Sequence, residues 1–269
     1  MLTTKSLAIL LLPLVAIASF ANAAHAAPAI KSEPLEYSQG DQKLEGYLAF
    51  PEGKKNLPAV ILVHDWMGMT ENVKERARQV AGLGYVALAA DIYGKGNQPK
   101  DGKEASATAG KFKADRTLLR ARAKAALDAL VKTGKVDPKK IIVLGYCFGG
   151  TTALELARSG ADLRGVVSFH GGLSTPNPAD AKAIKGRVLV MHGADDPFVK
   201  AEEVAAFEKE MRDAGLDWEL IKFGGAVHSF TIKDAGSDPT KGAAYNEKAD
   251  HRSWEELKRF LADVVPLGR

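Results

Sequence analysis

The chain has 269 residues, 46% hydrophobic and 26% charged, with a formal net charge of +4. That is enough apolar material for one large domain with a full core. Positive and negative residues are mixed along the chain, so the clustered basic face that nucleic acid requires is absent.

The first element reads as an export signal. Lys5 precedes the apolar run "LAILLLPLVAIASF", and small residues follow it. Ala24-His25-Ala26 fits an A-x-A cleavage pattern, which makes residues 1–26 a signal peptide and residues 27–269 a single domain. The run is short for a bilayer span and Pro13 interrupts it, which favours removal over anchoring. Nothing later is long and apolar enough to cross a membrane. The expectation is an exported protein, periplasmic or secreted, free of the membrane after cleavage.

"EPLEYS" and "QKLEGYLAFP" bracket a Gly-Asp turn and predict an antiparallel hairpin. Strands and helices then alternate. "AVILVHD", "YVALAADIY", "KIIVLGY", "LRGVVSFH", "GRVLVMHG" and "DWELIKF" read as strands. "ENVKERARQVAGLG", "KADRTLLRARAKAALDALVKTG", "GGTTALELARSG", "AEEVAAFEKEMRDAG" and the C-terminal "AAYNEKADHRSWEELKRFLADVV" read as helices. Near-continuous Val/Ile/Leu strands are buried on both faces, so the alternation predicts an α/β sandwich: a mostly parallel sheet with helices on both faces. The stretch from Gly94 to Phe112 reads as a long irregular loop, expected near the substrate mouth as a partial lid.

In an open parallel sheet, ligands bind beyond the carboxyl ends of the strands. The residues there are His64, Asp65, Asp91, Cys147, His170, His192, Asp195, Asp196 and His228. Gly145-Tyr146-Cys147-Phe148-Gly149 matches G-x-S-x-G with cysteine in place of serine, between a strand and a helix. Such a turn lifts the side chain off the sheet, and the helix N-terminus favours a thiolate and an oxyanion. Cys147 is the chain's one cysteine, so no internal disulfide competes for it. An acid and then a histidine should follow in chain order. Asp196 and His228 fit, with Asp195 the competing acid that spacing separates poorly. The loop "HDWMG" supplies the Trp66 backbone N–H, which pairs with that of Phe148 as a candidate oxyanion hole. His170 and His192 read as filling the sheet edge. No H-x-x-x-H or C-x-x-C spacing supports a metal, and no cofactor is expected.

"HDWMG", "GYVALAADIYGKG", "GYCFGG", "HGADDPFV" and "GAVHSF" together resemble the dienelactone hydrolase family of the α/β-hydrolase fold, from about Glu33 to the C-terminus. The resemblance implies a Cys-Asp-His triad on Cys147, Asp196 and His228, with Asp196 the acid because it begins "DPFV". It also implies a thiol-gating carboxylate at Asp65, where family members carry glutamate. The arginine that family members place four residues after the histidine is Ile232 here, with Arg116, Arg120 and Arg252 as candidate substitutes. The resulting expectation is a monomeric hydrolase of small carboxylic esters or lactones working through an acyl-thioester. The alternative is a non-hydrolytic exported binding or thiol redox-sensing protein on the same fold.

Overall fold

The computed structural model describes residues 29–268. The signal peptide expected over residues 1–26 lies outside them. Strand β1 (Ile30–Gln39) pairs antiparallel with β2 (Gln42–Pro51) over its whole length, Gln39 facing Gln42. Gly40 turns the hairpin with φ 56°, a left-handed conformation that costs glycine little. β3 (Leu57–Val63), β4 (Val86–Ala90), β5 (Val136–Tyr146), β6 (Gly165–Phe169), β7 (Arg187–Gly193) and β8 (Trp218–Phe223) follow. They form an eight-stranded sheet in the order β1-β2-β4-β3-β5-β6-β7-β8. β2 is antiparallel to β4, and every pairing from β4 to β8 is parallel.

The period-two alternation of the buried strands feeds two cores. Ile61, Val63, Ile141, Val143 and Val190 point to one face, against Leu127 of α3 (Arg116–Lys132), Leu154 of α4 (Phe148–Arg158) and Phe207 of α5 (Ala201–Asp213). Val60, Leu62, Ile142, Leu144 and Leu189 point to the other, against Val80 of α1 (Glu71–Gly82) and Leu257 and Phe260 of α6 (Glu247–Val264). Each such side chain contributes about 1.5–3 kcal/mol when fully buried. Neither face of the central strands reaches water, which is why they read as unbroken apolar runs.

The stretch from Gly94 to Phe112 is not one irregular loop. Its second half is helix α2 (Gly102–Ala114), capped by Asp101, whose side chain accepts from Glu104 N at 2.9 Å. Ala105, Ala109 and Phe112 are buried at helical spacing. A second cap at Asp115, accepting from Leu118 N at 2.9 Å, starts α3 at Arg116. The single long helix expected from Lys113 is therefore two helices meeting at Asp115. Small residues around Gly110 hide the apolar stripe, because alanine marks a face only weakly. In place of the irregular loop expected as a partial lid, its second half is a helix docked on the core, with the Phe112 ring 5.5 Å from that of Tyr93.

Candidate active site

Cys147 occupies the single residue between β5 and α4. Its φ of 53° and ψ of −113° lie where an L-residue is strained, at a cost of about 1–3 kcal/mol. The surroundings impose that conformation. A Cβ on Gly145 would stand 2.0 Å from Gly149 O, and one on Gly149 would stand 2.2 Å from Val63 O. Only glycine lets the chain pass at both points. The Cys147 N–H donates to Phe169 O at 2.9 Å, which ties the turn to β6.

Three side chains from separate loops meet here. His228 Nε2 lies 3.0 Å from Cys147 Sγ, and His228 Nδ1 lies 2.7 Å from Asp196 Oδ2. Asp196 Oδ1 accepts from Phe198 N at 2.8 Å and Val199 N at 3.3 Å, which fixes its carboxylate. Asp195 turns away and accepts from Gly225 N at 3.0 Å. Of the two acids, Asp196 is the one that reaches the ring. Burial disfavours a charged imidazole, but the neighbouring Cys147 sulfur and the bond to Asp196 outweigh it, and the His228 pKa rises to about 10. The geometry thus favours a protonated imidazole in contact with the sulfur.

The loop carrying His228 is braced from behind. Ser229 has φ 58°, and His228 is bonded through its N–H to Gly242 O at 3.1 Å. Thr231 Oγ1 lies 2.8 Å from His170 Nε2, while Thr231 O accepts from Arg76 at 3.3 Å. Arg76 in turn pairs with Asp250. The His170 ring meets the His228 ring edge-on at 5.3 Å. Burial, with the neighbouring His228 charge adding to it, holds the His170 pKa well below the usual histidine value. Among the described residues His170 Nδ1 has no partner. A neutral ring donating from Nε2 leaves a bare lone pair there instead of an orphan N–H. His192 is buried too, and burial lowers its pKa. Both histidines fill the sheet edge, and His170 also supports the His228 loop. Sequence spacing does not signal this bracing, because Thr231, Arg76 and His170 are far apart in the chain.

The loop after β3 is equally well held. His64 Nε2 accepts from Ile92 N at 3.3 Å, so its Nδ1–H donates to Asp65 O at 2.6 Å. Asp65 Oδ1 accepts from Met67 N at 2.7 Å, and among the described residues the sulfur's hydrogen bond is to His228, not Asp65. Burial raises the Asp65 pKa, and the Asp234 charge pushes the same way. Trp66 O accepts from the Tyr93 hydroxyl at 2.9 Å. The Phe148 N–H opens α4, where no intrahelical carbonyl is available. Neither this N–H nor that of Trp66 has an acceptor among the described residues.

Ile232 is half-buried in the His228 loop. Of the arginines considered in its stead, Arg120 is taken up by Glu155 and Asp180, and Arg252 is exposed on α6. Among the described residues Arg116 keeps two buried nitrogens without partners. Among the described residues no group of three or more His, Cys, Asp or Glu side chains could hold a metal ion, and no helix is long and apolar enough to cross a membrane.

A mostly parallel sheet with a strained strand–turn–helix at its centre, followed in chain order by an acid and a histidine, is the architecture of the α/β-hydrolases, here a hydrolase of carboxylic esters or lactones. Residues 44–265 match the model of the dienelactone hydrolase family, and the chain belongs to that family. It is 30% identical over 229 residues to the "Probable 2-oxo-3-(5-oxofuran-2-ylidene)propanoate lactonase" of a Bradyrhizobium species, covering 81% of this chain and 91% of that one. A dienelactone hydrolase-like promiscuous phosphotriesterase from metagenomic libraries superposes with a TM-score of 0.84 at 41% identity, covering 89% of this chain and 100% of that one. A dienelactone hydrolase from Anabaena variabilis shares the fold at 20% identity and a TM-score of 0.61, covering 88% and 98%.

Proposed function

We propose that the chain hydrolyses small carboxylic esters or lactones through an acyl-thioester on Cys147. The observation that carries this reading is the unbroken chain from sulfur to imidazole to carboxylate, at 3.0 Å and 2.7 Å. The thiolate attacks the carbonyl carbon, and the oxyanion takes up the free N–H groups of Trp66 and Phe148. Collapse of that intermediate breaks the ester C–O bond, and His228 Nε2 gives its proton to the departing oxygen. The ring, now neutral, takes a proton from water as the hydroxyl attacks the thioester. The acid leaves and the thiolate–imidazolium pair is restored. Asp196 keeps the ring oriented and favours its charged form throughout. In a lactone the departing oxygen stays attached to the acyl group, so ring opening and deacylation release a single hydroxy acid.

The experiment is turnover of short nitrophenyl esters by the full chain and its Cys147→Ala variant. Turnover is expected to vanish in the variant, and a brief ester pulse should leave a mass increase of one acyl group on Cys147 of the native chain. Undiminished turnover in the variant overturns the reading. We also read residues 1–26 as a removed export signal, which N-terminal sequencing of the chain recovered from the periplasm or medium tests. An exported chain that still begins at Met1 overturns that second reading.

A further inference from the structure

Among the described residues five large apolar side chains are exposed, and the two aromatic ones both stand on loops of the site. Phe198, 60% exposed, lies two residues after Asp196, and its ring meets that of His228 at 5.5 Å and 88°. Trp66, 40% exposed, follows Asp65. The sulfur is 3.0 Å beyond His228, so Phe198 stands one ring away from the reacting atom.

Phe198 is exposed without being loose. Its backbone N–H is held by Asp196 at 2.8 Å. Its ring lies against the backbone of Gly242, where an added Cβ would come within 3.1 Å of Phe198 Cζ. Gly242 also has φ 80°, and its carbonyl accepts the His228 N–H at 3.1 Å. The segment that fixes the histidine therefore seats the phenyl ring as well. On the loop after β3, the tip of the Trp66 indole would be 3.4 Å from a Cβ on Gly102, so it rests on the start of α2. An exposed, immobilised ring loses little entropy when a second apolar group covers it.

We infer that Phe198, with Trp66 on the loop after β3, is a specificity-determining platform that selects esters carrying an aromatic group. This rests on the ester hydrolysis proposed above and names its substrate class.

The test uses the full chain and three esters: trifluoroethyl acetate, trifluoroethyl hydrocinnamate and benzyl acetate. For each, the ratio of variant to native kcat/KM cancels the intrinsic reactivity of the ester. Phe198→Ala is expected to lower kcat/KM about tenfold on at least one of the two aromatic esters, and less than about twofold on trifluoroethyl acetate. Trp66→Ala, which keeps the backbone N–H, should lower kcat/KM more on the aromatic esters than on trifluoroethyl acetate, and Phe198→Tyr should retain native values. An equal effect of Phe198→Ala on all three esters, or none, overturns the platform. If turnover survives Cys147→Ala, the nucleophile assignment fails while the Phe198 ratios still decide selectivity. If the native chain hydrolyses none of the three, calorimetric binding of methyl hydrocinnamate decides instead. Binding that Phe198→Ala abolishes supports the platform, and no binding by the native chain overturns it.

Discussion

The two ends of helix α4 hold two buried charge clusters built on opposite plans. At its last residue, Arg158 is 1% exposed and fully engaged. Its guanidinium donates twice to Glu210 at 2.8 Å, to Glu155 at 3.1 Å and to Leu173 O at 2.9 Å. Glu155 is shared with Arg120 at 2.8 Å. At the other end Cys147 sits half-buried in a strained turn, beside N–H groups that have no acceptor among the described residues. A buried charge whose partners are all present locks helices together. A charged pair with strain beneath it and uncommitted donors around it is poised to act on something from outside.

The largest expected difference between the two ends is in turnover. Cys147→Ala should lower kcat at least about a thousandfold with thermal stability near native, because a triad member acts only with its partners. At the other end, Glu210→Ala strands the Arg158 charge in the core and should cost about 3–5 kcal/mol in urea unfolding. Its kcat per folded molecule should stay within about twofold of native. Loss of turnover without loss of stability in that variant would erase the contrast.

Asp196→Asn probes the charged pair itself. With the His228 pKa near 10, the imidazolium persists across neutral pH and is lost only as pH rises through that value. The ring should therefore stay protonated by NMR from about pH 6 to 9, where an ordinary histidine has lost its proton. The asparagine removes a negative partner, so the ring gives up its proton at lower pH. A drop of about a hundredfold in kcat should accompany it. An unchanged ring titration would show that Asp196 does not set the protonation of His228.

The bracing behind His228 is expected to matter less. Thr231→Val keeps shape and removes the hydroxyl that meets His170 at 2.8 Å. A drop of about tenfold or less in kcat with KM nearly constant is expected, since a loosened ring misses the productive geometry without changing what the pocket binds. Thr231→Ser should restore most of it. If the serine does no better than the valine, the hydroxyl is not what holds the loop.

What was legible in the sequence divides along the same line between local and distant causes. The strands, and the turn at Cys147, are announced by neighbours in the chain: Val/Ile/Leu runs in the first case, Gly145 and Gly149 in the second. The meeting of Cys147 with His228 follows from chain order and the edge to which parallel strands deliver their loops. Spacing alone does not separate Asp195 from Asp196; the "DPFV" resemblance points to Asp196, and the backbone path supplies the cause by bonding Asp195 to the Gly225 N–H and Asp196 to the ring. Helix α2 was hidden by its own small residues, although Asp101 and Glu104 spell a helix start three residues apart. The seating of Phe198 on Gly242 and of Thr231 on His170 joins segments about 44 and 61 residues apart, which no local pattern encodes.

The smallest effect concerns Asp65. As a gate on the thiol its carboxylate would have to bond the sulfur; in the structure Oδ1 accepts from Met67 N at 2.7 Å, and among the described residues the sulfur's bond is to His228. Asparagine presents the same oxygen, so Asp65→Asn should preserve the loop and leave the pH profile of Cys147 alkylation by iodoacetamide within about twofold of native. Stability should respond in a defined direction. Burial, aided by Asp234, raises the carboxyl pKa above 3.8, so the folded chain holds this proton where the unfolded chain has lost it. Native stability therefore falls as pH rises above 3.8 through the folded-state value, and at neutral pH the ionised group is a net cost. The asparagine variant escapes that cost. It should melt slightly higher than native at pH 7, by less than about 1 kcal/mol, and the gap should close toward pH 4 and below. A gap that stays constant with pH would assign the gain to packing, and a changed alkylation profile would return Asp65 to the thiol.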